Sequence, residues 1–251
     1  FDPMGVRPLP KPFLSVVIPT FNEEARIAGT LDSVIEYLVS RDYEWEVVVA
    51  DDGSTDRTAQ LVGSVIVQHA NVRVLRLPHR GKGWAVKNGM LAAEGEYRLI
   101  CDADLSVAIE HVERLLPCFD AKPGGPGSDI VLGSREAPGA VRIGEPSRRH
   151  LMGRVFNRIV SLLAVPGLTD TQCGFKCFRG ETAEDLFPRL TLDGFAFDVE
   201  LLHLARKLGI PYSEVGVDWY YRAQSKVRPI QDSLAMTLDL IKIRWRHRNP
   251  V

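Results

Sequence analysis

The chain has 251 residues, with 31 Lys and Arg against 32 Asp and Glu and a formal charge of −1. It therefore has no overall basic field of the kind that holds nucleic acid, and any basic site must be local. With 45% hydrophobic residues it is a globular chain rather than a fibre or a disordered one, and its length suits one large α/β unit with a C-terminal appendage.

No run approaches the roughly 18 apolar residues that cross a bilayer, so any membrane contact is expected at the surface. The start, Phe1 to Pro12, reads as a Pro-rich linker or expression remnant, with no secretory leader. Cys101, Cys118, Cys173 and Cys177 lack zinc spacing and fit a reduced, cytoplasmic setting.

In chain order, strands are predicted at Ser15 to Ile18, Glu46 to Ala50, Val72 to Leu77 and Tyr97 to Cys101, with helical patterns between them. This alternation predicts βαβ units and a parallel sheet. The run Val47 to Ala50 is apolar on both faces and belongs inside the sheet. Val72 to Leu77 partly alternates and belongs nearer an edge. After a Gly/Pro loop at Lys122 to Ser128 come a strand at Ile130 to Gly133 and a basic segment, Arg142 to Arg154, leading into a helix to about Ala164. A strand at Gly174 to Phe178, a helix from Asp198 to Leu208 and a strand around Val215 to Trp219 follow. Ile230, Leu234, Leu238, Ile241 and Trp245 then keep helical spacing, with Lys242, Arg244, Arg246 and Arg248 at the end of that pattern.

Ligands of parallel sheets bind beyond the carboxyl ends of the strands, and the polar clusters fall there: Pro19 to Glu23, Asp51 to Asp56 and Asp102 to Ser106. In Leu99-Ile100-Cys101-Asp102-Ala103-Asp104, two carboxylates one residue apart end an apolar strand. In extended backbone they share a side, where they can hold a hard cation. Taken alone, Asp-Ala-Asp is equally a turn or a cap before a helix at Ile109 to Leu116, and Asn22 and Asp56 read as ordinary N-caps. Three polar loops converging on one crevice are more than caps require.

These segments, with His79-Arg80-Gly81-Lys82-Gly83-Trp84, Asp170-Thr171-Gln172-Cys173-Gly174-Phe175-Lys176, Gly194 to Leu201 and Ser225-Lys226, resemble family 2 glycosyltransferases of the GT-A fold. The likeness runs from Phe13 to about Arg244 and is strongest to the branch of dolichyl-phosphate glucose and mannose synthases, the glucose synthases above all. It implies a mainly parallel, Rossmann-like sheet flanked by helices. A catalytic domain would span 13–228, with a nucleotide half over 13–106 and an acceptor half over 107–228. An amphipathic basic helix would follow over 229–251.

The resemblance implies that Pro19, Phe21, Glu23, Ala50 and Asp52 hold the base and ribose of a nucleotide sugar. Asp102, Ala103 and Asp104 would hold ribose, diphosphate and a divalent cation, Mg2+ or Mn2+, with Lys82 in the same donor site. Arg135 and Lys226 would contact phosphates. Two positions depart from the mannose synthases: Ser106 stands where they place a metal-binding Gln, and Tyr220 where they place an Arg, with Arg222 nearby in a different register.

The acceptor implied is a polyprenyl phosphate. Its oxygens are already anionic, so transfer needs cations to hold two negative molecules together rather than a base. Arg135, Arg142, Arg148, Arg149, Arg154 and Lys226 supply such charge. Asp170, Gln172 and Lys176 are further candidates for the acceptor cleft. Asp198 stands where hydroxyl-transferring relatives keep a base, and it equally fits an N-cap. The alternatives are a transferase acting on a hydroxyl with Asp198 as base, and a non-catalytic nucleotide-sugar binding protein. The C-terminal helix either packs on the domain or rests on anionic lipid with Trp245 at headgroup level.

Overall fold

The computed structural model describes residues 11–120, 127–146, 167–222, 239–240 and 242–248. Arg148, Arg149, Arg154, Ser225, Lys226, most of the Gly/Pro loop, the helix expected before Ala164, and Ile230, Leu234, Leu238 and Ile241 lie outside the described residues.

Seven strands form the main sheet: β1 (Leu14–Thr20), β2 (Trp45–Asp51), β3 (Val72–Arg76), β4 (Tyr97–Cys101), β5 (Ile130–Ser134), β7 (Phe175–Arg179) and β8 (Tyr212–Gly216). Their order is β3-β2-β1-β4-β7-β5-β8. The first four are parallel, β7 runs antiparallel to both β4 and β5, and β8 is parallel to β5. As the alternating pattern implied, β3 is an edge strand. β6 (Val141–Ile143) and β9 (Asp218–Tyr220) make a separate two-stranded parallel ribbon. The single strand expected around Val215 to Trp219 is thus two, divided between sheets.

Alternate residues of the parallel strands face opposite layers. Val16, Ile18, Val47, Val49 and Leu99 pack with Ile27, Leu31 and Val34 of α1 (Ile27–Val39) and Val62 of α2 (Thr58–Ile66). Val17, Val48 and Ile100 pack on the other face with Val86 and Met90 of α3 (Lys82–Ala92), Leu186 of α5 (Gly180–Leu186) and Leu201 of α6 (Phe197–Lys207). Each such side chain contributes about 1.5–3 kcal/mol when fully buried. The two apolar layers therefore explain why β1, β2 and β4 read as continuous apolar runs.

Several local expectations are corrected. The helix expected over Ile109 to Leu116 is a short α4 (Val112–Leu115) between two 3-10 turns, the second of which contains Pro117. Asn22 caps no helix: it sits at φ 52, and its Oδ1 accepts the Thr55 N–H at 2.8 Å, joining the β1 and β2 loops. Asp198 lies inside the first turn of α6, after Ala196, and makes no cap bond. Asp56 stands one residue before the cap position of α2, which is Arg57, and its Oδ1 accepts the Thr58 N–H at 2.9 Å. Pro12 belongs to the fold rather than to a linker, since its carbonyl accepts the Glu96 N–H at 2.9 Å.

Candidate active site

Strand order reverses between β1 and β4, and the crevice of an open parallel sheet lies at such a reversal. Asp102 follows β4 there. Its Oδ1 is 2.6 Å from Nζ of Lys82, the first residue of α3. Burial opposes the Lys82 charge, but the carboxylates of Asp102, Asp198 and Asp104 outweigh it and hold the ammonium above its usual range. Gly174, just before β7, faces the same carboxylate: a Cβ there would stand 1.9 Å from Asp102 Oδ2. Only a residue without a side chain leaves Asp102 its place.

The rest of the acidic loop is held by its own backbone. Leu105 takes a left-handed conformation, φ 46, and the turn lets the Ser106 N–H reach Asp104 Oδ1 at 2.9 Å. The Ser106 carbonyl accepts the Tyr220 N–H at 2.7 Å, and Thr30 Oγ1 donates to the Ala103 carbonyl at 2.6 Å. The loop is thereby tied to β9 and α1.

Beside it, Pro19 pairs in register with Ala50 across β1 and β2. The Glu23 carboxylate meets Arg26 at 2.8 Å, and the Glu23 N–H donates to Thr58 Oγ1. Phe21 stacks on His79 with ring centroids 4.0 Å apart and 14° between planes. Asp52 is buried, and its carboxylate accepts the N–H groups of Arg80 and Gly81, both at 2.9 Å, and pairs with His79 Nδ1 at 2.7 Å. Asp52 therefore shapes the loop that delivers Lys82, a role its place in the sequence did not reveal.

On the other flank, Arg135 grips Asp170 with Nε at 2.7 Å and Nη2 at 2.8 Å, and its backbone N–H adds a third bond at 2.9 Å. Burial would raise the Asp170 carboxyl, but Arg135 and the Gln172 N–H hold it well below the carboxylate range. Arg142 is neutralised by Glu136 and Glu145 at 2.7 and 2.6 Å. Both guanidinium groups lie over the Trp219 ring, 5.6 and 6.0 Å from its centroid. Two of the cations expected for phosphate are thus already paired.

Lys176 is fully buried, with Nζ 2.7 Å from Asp198 Oδ1 and 2.5 Å from the Cys173 carbonyl. Burial raises the Asp198 carboxyl against the pull of Lys176 and Lys82. Sequence reasoning placed both residues near the acceptor but not together. Cys173 and Cys177 are buried free thiols, and burial pushes Cys173 up to about 12, so they are packing groups.

The residues fit a divalent cation that shares its shell with a ligand. Asp102 and Asp104 offer hard oxygen donors, and Lys82 already marks Asp102 as a place for positive charge. Among the described residues no group of three or more His, Cys, Asp or Glu could hold a metal alone, so phosphate oxygens and water would complete the shell.

A switch-point crevice with carboxylates at the strand ends is the architecture of a nucleotide-binding α/β enzyme. The chain belongs to glycosyl transferase family 2, whose sequence profile matches residues 15–187, and it is a glycosyltransferase. It is 38% identical over 253 residues to dolichyl-phosphate beta-glucosyltransferase of Dictyostelium discoideum, covering 96% of this chain and 76% of that protein. It is 37% identical to the Homo sapiens protein of the same name, covering 93% and 75%.

Among solved structures it resembles glucosyl-3-phosphoglycerate synthase from Mycobacterium tuberculosis in complex with Mn2+, uridine diphosphate and glucosyl-3-phosphoglycerate. The TM-score is 0.66 at 22% identity, covering 92% of this chain and 78% of that one. At that identity the likeness establishes the GT-A fold. No helix among the described residues is long and apolar enough to cross a membrane.

Proposed function

We propose that this enzyme moves glucose from a UDP-sugar to the phosphate of a polyprenyl phosphate such as dolichyl phosphate, with inversion at the anomeric carbon. The names of its relatives support the substrate classes. The observation that carries the acceptor is the Lys176–Asp198 pair: the side chain placed where hydroxyl-transferring relatives keep a base is buried against an ammonium at 2.7 Å. A phosphate acceptor needs no base, because its oxygen is already anionic.

In this reading Phe21 and Asp52, with Pro19, Glu23 and Ala50, form the base and ribose site. Ala103 and the carboxylates of Asp102 and Asp104 hold the ribose, the diphosphate and Mg2+ or Mn2+. The cation, when bound, neutralises charge growing on the departing diphosphate. Lys82, at the start of α3, adds a second positive charge facing the same phosphates. Arg135 is a positioning residue for the acceptor side, working through Asp170, and Lys226 contributes the direct phosphate contact. The catalytic domain spans 13–228. Of the segment 229–251, Leu240 and Ile243 are packed in the core, one of the two arrangements expected, while exposed Trp245 meets anionic lipid at headgroup level on the cytoplasmic face.

The test is the single-turnover rate of Asp198→Asn with matched amounts of folded protein and both substrates saturating. A loss within about tenfold supports a phosphate acceptor, because removing a true general base costs about a hundredfold or more. A loss of several orders of magnitude with normal binding would instead install Asp198 as the base of a hydroxyl transferase.

A further inference from the structure

A second cationic cavity lies away from the crevice. Its volume is about 510 Å³ and it is lined by His203, Arg206, Lys207, Arg244, His247 and Arg248. Asp198 and Lys207 sit at opposite ends of α6, about 14 Å apart along the axis at 1.5 Å per residue. The cavity is therefore separate from the acidic loop.

Among the described residues that line it, four of six are Arg or Lys and none is acidic. The carboxylate that reaches the cavity edge, Glu200, is engaged elsewhere as well: it meets His247 Nε2 at 2.7 Å and accepts the N–H groups of Thr191 and Leu192, both at 2.9 Å. Asp239 is paired with Lys242 at 2.7 Å. Lys207 caps the C-terminal segment by donating to the His247 carbonyl at 2.5 Å. Arg206, Arg244 and Arg248 are exposed, so an incoming anion can reach them.

On the same segment Trp245 is 66% exposed, and the Arg248 guanidinium lies 5.5 Å from its ring centroid. A tryptophan standing out beside a cluster of arginines matches the polarity of a membrane interface, where the ring sits at headgroup depth and the cations meet phosphate. We infer that this cavity binds the phosphate of an anionic phospholipid headgroup, a site distinct from both donor and acceptor. The choice of lipid over free phosphate rests on the membrane-contact reading above, whereas the anion site rests on the cavity alone.

The test is flotation of the whole chain with vesicles of phosphatidylcholine, with and without one part in about five of phosphatidic acid. Two variants are compared: Arg206→Gln/Arg244→Gln/Arg248→Gln and the charge-matched control Arg41→Gln/Arg57→Gln/Arg189→Gln. Wild type should bind only the anionic vesicles. The cavity variant should lose tenfold or more of that binding, with unchanged thermal unfolding and unchanged transfer to a short, water-soluble prenyl phosphate, while the control binds as wild type. Equal losses in the cavity variant and the control, or none in the cavity variant, would overturn the site. Calorimetry with inorganic phosphate separates the sources: tight binding of free phosphate without vesicle binding overturns the lipid assignment. Because the readout is binding, a failure here leaves sugar transfer untouched, and a failure of transfer leaves this site standing.

Discussion

Lys82 Nζ lies 2.6 Å from Asp102 Oδ1, so an ammonium neutralises the carboxylate proposed to face the donor diphosphate. A cation arriving at Asp102 must compete with it. Lys82→Met is therefore expected to raise affinity for Mn2+ alone several-fold by calorimetry. It should also lower transfer tenfold or more, because the ammonium no longer faces the phosphates. Unchanged Mn2+ affinity would mean that the two cations do not share Asp102.

Gly174 gives a separate handle on the same carboxylate. A methyl group there would stand 1.9 Å from Asp102 Oδ2, and the far end of a side chain can swing aside where backbone cannot. Gly174→Ala is expected to cost transfer a hundredfold or more while shifting the unfolding midpoint only slightly, measured by paired activity and thermal-melt assays. Asp104→Asn should match its loss of transfer. A fully active Gly174→Ala protein would remove Asp102 from the site.

The Arg135–Asp170 clamp sets a pH dependence. The Asp170 carboxyl is held below its unfolded value of about 3.9, so as pH falls the unfolded chain takes up the proton first. The clamp's contribution is complete above about pH 5 and is lost as pH drops toward the folded value. Asp170→Asn should destabilise the protein by about 3–5 kcal/mol at neutral pH, the usual cost of breaking a buried pair. Denaturant melts should show that gap narrowing below about pH 4, and a gap of constant size would refute the assignment.

For the buried Lys176–Asp198 pair, stability and catalysis separate. Asp198→Asn strands the Lys176 ammonium in a place with no solvent, and about 3–5 kcal/mol of stability should be lost. Lys176→Met/Asp198→Leu removes both charges and should regain most of that loss, as apolar replacements of buried pairs commonly do. Chemical denaturation of the two variants decides it. A double variant as unstable as the single would mean that the pair is not the source.

What was legible in the sequence divides along physical lines. β1, β2 and β4 were found within a residue or two because strands covered on both faces write continuous apolar runs, as Val47 to Ala50 does. The loops at their ends followed from the parallel order. Long-range pairing was not legible: Lys82 with Asp102, Arg135 with Asp170 and Lys176 with Asp198 are joined by the fold, not by spacing. Asp198 was open between base and cap because an acidic residue at the start of an apolar-periodic helix looks the same from sequence in either role, and only the fold places it inside the first turn without a cap bond. The antiparallel course of β7, which brings Lys176 inward, likewise has no local signature.

The most direct test of the whole account is the product formed from UDP-glucose, Mg2+ or Mn2+, and a matched pair of acceptors: a polyprenyl phosphate and the corresponding polyprenol. Mass spectrometry should find one hexose added to the polyprenyl phosphate, with nucleoside diphosphate released in equal amount and no product from the alcohol. Hexose on the polyprenol, or no transfer to the phosphate by folded, nucleotide-binding protein, would contradict it.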